Sequence, residues 1–182
     1  GEDQDFWRFS GLFREVKLVS LPKLHLSDFF VHAVPENGYK DGKLTVDMTW
    51  ASAEKKQVTL ALYDAAGKIV AKAEDAPTGE TSALSLSVKG AKLWNAEHPY
   101  LYRALFTVRD AAGKLVEVIP QNIGFREFKM DGGIMKINGE RIVFKGVNRH
   151  EFDCDRGRAI DPREIEKDII TMKRNNINAL RT

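Results

Sequence analysis

This sequence predicts a mainly β fold: an immunoglobulin-like β-sandwich followed by a hairpin and the start of an α/β domain. Three observations carry the prediction. From residue 24 to 119, short apolar–polar alternations recur at the spacing of an all-β sandwich, with turn residues between them. After Ile123, an Asn138-Gly139 pair separates two short strand-like runs, a strong local hairpin signal. From Asp161 the apolar period changes to that of a helix with defined ends, and another strand pattern follows.

Taken in order, residues 12–21 (LFREVKLVSL) alternate closely enough to read as a strand, and Pro22 interrupts them. The sandwich candidates are LHLSDFFVHAVP, KLTVDMTWAS, QVTLALYDA, KIVAKAED, ALSLSVKG, LYRALFTVRD and KLVEVIPQ. Leu44, Val46, Met48 and Trp50 fall on one face, opposite Lys43, Thr45, Asp47 and Thr49. Val58, Leu60 and Leu62 likewise oppose Gln57, Thr59 and Ala61. Half-wet strands of this kind belong to antiparallel sheets with one buried face, and two such sheets make a sandwich. Turn residues are expected at Glu36-Asn37-Gly38, Asp41-Gly42, Ala66-Gly67 and Ala112-Gly113. DAAGKIVAK and DAAGKLVEV read as two hairpins with one turn solution, Gly67 and Gly113 supplying the positive φ.

In the helix, Asp161 is the expected N-cap, Pro162 sits at N1 and Glu164 at N3. Ile165, Ile169 and Met172 form its apolar stripe, and Asn175 and Asn176 close it. Residues 142–182 therefore read as strand, loop, helix, strand: one βαβ unit. A single such unit leaves both strand edges unpaired, so the sandwich is expected to fold alone and this segment to be poorly packed or to lean on the sandwich.

The bulk properties exclude more than they assign. The 182 residues are 43% hydrophobic and 30% charged, with net charge +2 and both signs interspersed. That gives no electrostatic footprint for nucleic acid, and no run approaches a bilayer span. With Cys154 as the single cysteine there is no internal disulfide, which fits a reducing, cytoplasmic compartment. An opening without Met and an ending inside a strand pattern read as an internal fragment of a longer protein.

His150 lies at the C-terminal end of the FKGVN strand, and Arg181 at that of NALRT. In a (β/α)8 barrel the reactive side chains project from such strand ends. The alternative is a polar strand end that satisfies its own neighbours. Glu151, Asp153, Cys154 and Asp155 share one loop, which reads as solvated rather than as a catalytic carboxylate pair or a zinc site. His25, His32 and His98 are expected at surfaces or edges. Trp50 and Trp94 are expected in the core, an exposed Trp being a sugar-stacking platform instead. Asp3 and Asp5, before Phe6 and Trp7, would need a donor, a cation or a ligand hydroxyl if buried.

Five segments together resemble glycoside hydrolase family 2, and within it the bacterial β-galactosidases: EDQDFWRFSGLFREVKL, LWNAEHPYLYRALFTV, GFREFKM, INGERIVFKGVNRHEF and DIITMKRNNINALRT. Family 2 β-glucuronidases more often carry Lys where Arg149 stands and lack the EDQDxWR segment. The resemblance implies three parts. Residues 1–21 end an N-terminal jelly-roll domain, 22–125 form the sandwich, and 126–182 are a hairpin and the first βαβ unit of a truncated (β/α)8 barrel. It implies hydrolysis of terminal non-reducing β-D-galactosides with retention, by a homotetramer using magnesium and sodium. Asp5 would contact the sugar's primary hydroxyl and the sodium ion; His150 would bind the galactosyl ring hydroxyls; Arg181 would be an active-site arginine. Both catalytic glutamates and the magnesium ligands would follow on later strands, so no catalytic residue lies here and the fragment itself is expected to be inactive. The alternatives are a non-catalytic sandwich acting as spacer or carbohydrate-binding module, or another family 2 specificity such as β-glucuronidase or β-mannosidase.

Overall fold

The computed structural model describes residues 11–182. They form twelve strands and one helix in two compact units, one spanning Ser20–Ile142 and the other joining residues 11–19 to 143–182.

Seven strands build the sandwich: β1 (Leu26–Glu36), β2 (Asp41–Trp50), β3 (Lys56–Tyr63), β4 (Ile69–Asp75), β5 (Thr81–Val88), β6 (Tyr102–Asp110) and β7 (Leu115–Ile123). One sheet runs β1-β2-β5 and the other β4-β3-β6-β7, with every pairing antiparallel. Strand parity decides the interior. Leu44, Val46, Met48 and Trp50 from β2 meet Val58, Leu60 and Leu62 from β3, and Ala104, Phe106 and Val108 from β6. Phe106 is fully buried, its ring 5.1 Å from that of Phe29 across the core. Ala61, expected on the wet face, is buried as well. It is a small residue paired with Lys72 and Leu105 on the flanking strands, whose longer side chains shade it.

The two DAAG hairpins do share one turn. Asp64 Oδ1 accepts from Ala66 N and Lys68 N, each at 2.9 Å; Asp110 Oδ1 accepts from Ala112 N at 2.9 Å and Lys114 N at 3.0 Å. Gly67 and Gly113 have φ of 79° and 81°. Asp41-Gly42, by contrast, is not a turn. The chain reverses over residues 37–40, and Gly42 belongs to β2 on its inward parity. A Cβ there would lie 2.7 Å from the Phe125 ring, so packing rather than φ requires glycine.

Beyond the sandwich, β8 (Phe128–Asp131), β9 (Ile134–Ile137) and β10 (Glu140–Arg141) form a small antiparallel sheet in the order β10-β9-β8. The Asn138-Gly139 hairpin is present, and a second hairpin on Gly132-Gly133, not foreseen from the sequence, precedes it.

In the other unit, β11 (Gly146–Asn148) and β12 (Ala179–Arg181) pair in parallel, joined by α1 (Pro162–Arg174). Asp161 caps α1 as expected, accepting from Arg163 N at 2.9 Å. Glu164 at N3 approaches Lys167 instead of closing back on the cap. Asn176 adopts φ 57°, the left-handed exit expected of asparagine at a helix end. The helix has no buried residue, and Ile169 and Ile170 stay 44% and 42% exposed. The strand expected over 12–21 is not formed. Its described residues have no ladder partner, and Leu12, Val16 and Leu18 are exposed. Alternation supplies a face, but a strand also needs an edge to pair with. Among the described residues no helix is long and apolar enough to cross a membrane.

Candidate functional site: the strand ends of the βαβ unit

Parallel register sets the geometry. Gly146, Val147 and Asn148 stand opposite Ala179, Leu180 and Arg181. Paired residues share a face and neighbours alternate. Asn148 and Arg181 therefore lie abreast on one face, with Val147 and Leu180 on the other. Arg149 N donates to Arg181 O at 2.9 Å, which closes the last pair of the ladder. Asn178 ties the strand starts together: its Oδ1 accepts from Lys145 N at 2.8 Å and its Nδ2 donates to Val143 O at 3.0 Å.

The side chain of Arg149 shows which face is which. Its Nε and Nη2 both donate to Asp168 Oδ2 on α1, each at 2.8 Å, and only 8% of the side chain is exposed. The Val147–Arg149 face is thus the helix side. His150, exposed, follows two residues after the last ladder pair. The chain turns directly after it, with Phe152 N donating to His150 O at 2.9 Å. Glu151 pairs with Arg14, whose Nη1 also donates to Arg158 O at 2.6 Å. Of the residues singled out from the sequence, Arg181 ends β12 and His150 lies just beyond the end of β11, and the register sets Asn148 abreast of Arg181. Asp5 lies outside the described residues.

The acidic loop behaves as a loop. Asp153 and Gly157 exchange backbone hydrogen bonds of 2.8 Å, and Asp153 Oδ1 accepts from Asp155 N and Arg156 N. Donor atoms of Asp153, Cys154 and Asp155 lie within 4.8 Å of one another. One carboxylate oxygen is already engaged and a thiol is too soft for a hard cation, so this set does not fit magnesium. Asp161, beside Arg163 and Arg156, is held well below the usual carboxylate range, chiefly by its bond to Arg163.

The two tryptophans expected in the core sort differently. Trp50 is buried, with Nε1 donating to Ser82 Oγ at 2.8 Å. Trp94 is only partly buried and sits outside the core cluster. Its ring has the Arg126 guanidinium at 4.8 Å and Gly124 close against it, which obstructs a stacking role. His32 pairs with Asp47 at the surface, His98 is exposed, and His25 contacts Pro22 O at the sandwich edge.

Lys56 was not foreseen. It is fully buried, donating to Ser52 O at 2.7 Å and Gly79 O at 2.8 Å, with Nζ 5.1 Å from the Trp50 ring. Burial lowers its pKa from the ordinary lysine value. The signal was in the alternation, because residue 56 has the parity of Val58, Leu60 and Leu62.

Residues 24–126 match the family described as glycosyl hydrolases family 2, and residues 128–182 match the TIM barrel domain of the same family. The chain belongs to glycosyl hydrolase family 2. Along its whole length it is 46% identical to a β-galactosidase of Halalkalibacterium halodurans and 41% identical to one of Clostridium acetobutylicum. It spans 18% and 20% of those two relatives. Among solved structures, a β-glucuronidase of Bacteroides uniformis superposes with TM-score 0.83 at 26% identity, covering 97% of this chain and 22% of that one. One of Parabacteroides merdae gives 0.84 at 24% identity, covering 97% and 23%, a likeness of fold alone. In this family 2 chain, β11, α1 and β12 are the opening strand–helix–strand of the barrel domain.

Proposed function

We propose that this chain is the central sandwich and first barrel unit of a β-galactosidase that hydrolyses terminal non-reducing β-D-galactosides with retention. The observation that carries the reading is the whole-length similarity to β-galactosidases, at 34–46% identity among those compared. The strand-end face supports it. Asn148 and Arg181 stand abreast with His150 two residues on, and together they offer amide, guanidinium and imidazole groups, a set suited to sugar hydroxyls or a carboxylate.

In this reading His150 hydrogen-bonds the galactosyl hydroxyls and Arg181 lines the same subsite. Asp5 contacts the primary hydroxyl and a sodium ion. Retention requires one carboxylic acid to protonate the leaving oxygen and a second carboxylate to attack the anomeric carbon. Those two groups and the magnesium ligands belong to later strands of the full-length enzyme, a homotetramer of the cytoplasm. The 182-residue chain alone is a scaffold with part of the substrate subsite.

The test is hydrolysis of nitrophenyl β-galactoside against nitrophenyl β-glucuronide by the full-length protein. Preference for the galactoside is expected, and preference for the glucuronide, the specificity of the superposed structures, would overturn the assignment. Turnover by the 182-residue chain would refute its inactivity. Galactose-induced NMR shifts confined to Asp5 and His150 would mark a residual subsite; silence would leave a non-catalytic spacer.

A further inference from the structure

The polar contacts around His150 converge on one residue before it and one after it. The Arg149 side chain is nearly buried, although it follows a short strand in a unit whose helix has no buried residue. Its guanidinium gives two donors to a single oxygen of Asp168, while its backbone N–H bonds Arg181 O. One residue thus joins β11, β12 and α1. On the far side, the Phe152–His150 backbone bond and the Glu151–Arg14 ion pair fix the chain as it leaves the strand. Fastening Arg149 by its side chain and its backbone fixes the chain immediately before His150, and so the point from which that side chain departs.

We infer that the Arg149–Asp168 pair is a positioning device for His150, with Asp168 acting on substrate through the rotation of the strand end rather than by contact. Lysine at this position would keep the charge but lose the planar fork, because an ammonium is a point donor whereas the guanidinium also fixes orientation. The inference rests on the reading of His150 as a sugar-contacting residue, and it makes Asp168, on the outer helix, a determinant of turnover.

The test is a double-mutant cycle in the full-length enzyme, measuring kcat/KM for nitrophenyl β-galactoside. Small displacements of a positioning group cost about ten- to a hundredfold, so Asp168→Asn is expected to lose about tenfold or more. In the His150→Phe background the same substitution is expected to cost less than about twofold, because residues acting as one unit are not additive. Equal losses in both backgrounds, or no loss in either, would overturn the inference. If Asp168→Asn loses its cooperative thermal transition, Arg149→Lys is measured in the same cycle, with the same two outcomes. Failure of the unmutated enzyme to cleave β-galactosides would refute the functional reading instead, leaving the two failures distinct.

Discussion

In the sandwich, Leu44, Leu60, Leu62 and Phe106 have no exposed surface, whereas α1 buries none of its residues. Both regions come from clean apolar periodicity. The sandwich supplies both faces of its own core within Ser20–Ile142, since β2 and β5 in one sheet cover β3 and β6 in the other. The βαβ unit offers a helix stripe against two short strands. Its order rests on directed polar bonds: Arg149 to Asp168, Asn178 to both strand starts, and Arg14 to Glu151. Dry packing secures the scaffold, and hydrogen bonds hold the strand ends next to His150.

The sharpest way to break this contrast is a pair of truncations. Phe106→Ala is expected to cost about 3–5 kcal/mol by urea unfolding, a loss typical of a fully buried phenylalanine. Ile169→Ala in α1 is expected to cost less than about 1 kcal/mol, since much of that side chain is already in water. Comparable losses would show that the helix stripe is buried in solution.

Next in size is Lys56→Met, expected to cost about 2–3 kcal/mol because two enclosed carbonyls lose a charged donor. The apolar stem over Trp50 is retained, so a smaller loss would mean that water replaces the ammonium. The linked pH effect has a definite sign. The folded pKa of Lys56 is depressed, so above it the unfolded chain binds the extra proton. Stability of the wild type relative to Lys56→Met should therefore rise with pH through the window ending near 10.5.

The smallest effect concerns Asp161. Its folded pKa lies below the ordinary value of 3.8, so its contribution is complete above that value and drains as pH falls further. Protection of the Arg163 amide, measured against its intrinsic exchange rate, should fall as the pH drops below about 4, and Asp161→Ala should show the low protection at neutral pH as well. A first turn indifferent to both changes would mean that the cap does not hold the helix.

Much of the sandwich was legible because burial in a two-layer sheet repeats every second residue. The faces of β2 and β3 were readable from parity, and the helix ends from Asp161, Pro162 and Asn176. Parity also held Lys56 in plain view, but composition argued against a buried lysine, and only the carbonyls of Ser52 and Gly79 explain it. The 12–21 alternation misled for the complementary reason: a local pattern was present without an edge to pair with.

The sequence by itself determined what is local, namely strand parity, turn chemistry, helix caps and the family motifs with His150 and Arg181 at strand ends. Tertiary structure decided what depends on partners distant in sequence. It placed Gly42 against Phe125, sent Arg149 to Asp168, and through the β11–β12 register set Asn148 beside Arg181. The physical reason is that a side chain's face follows from its neighbours along the chain. What that face meets follows only from closure of the fold.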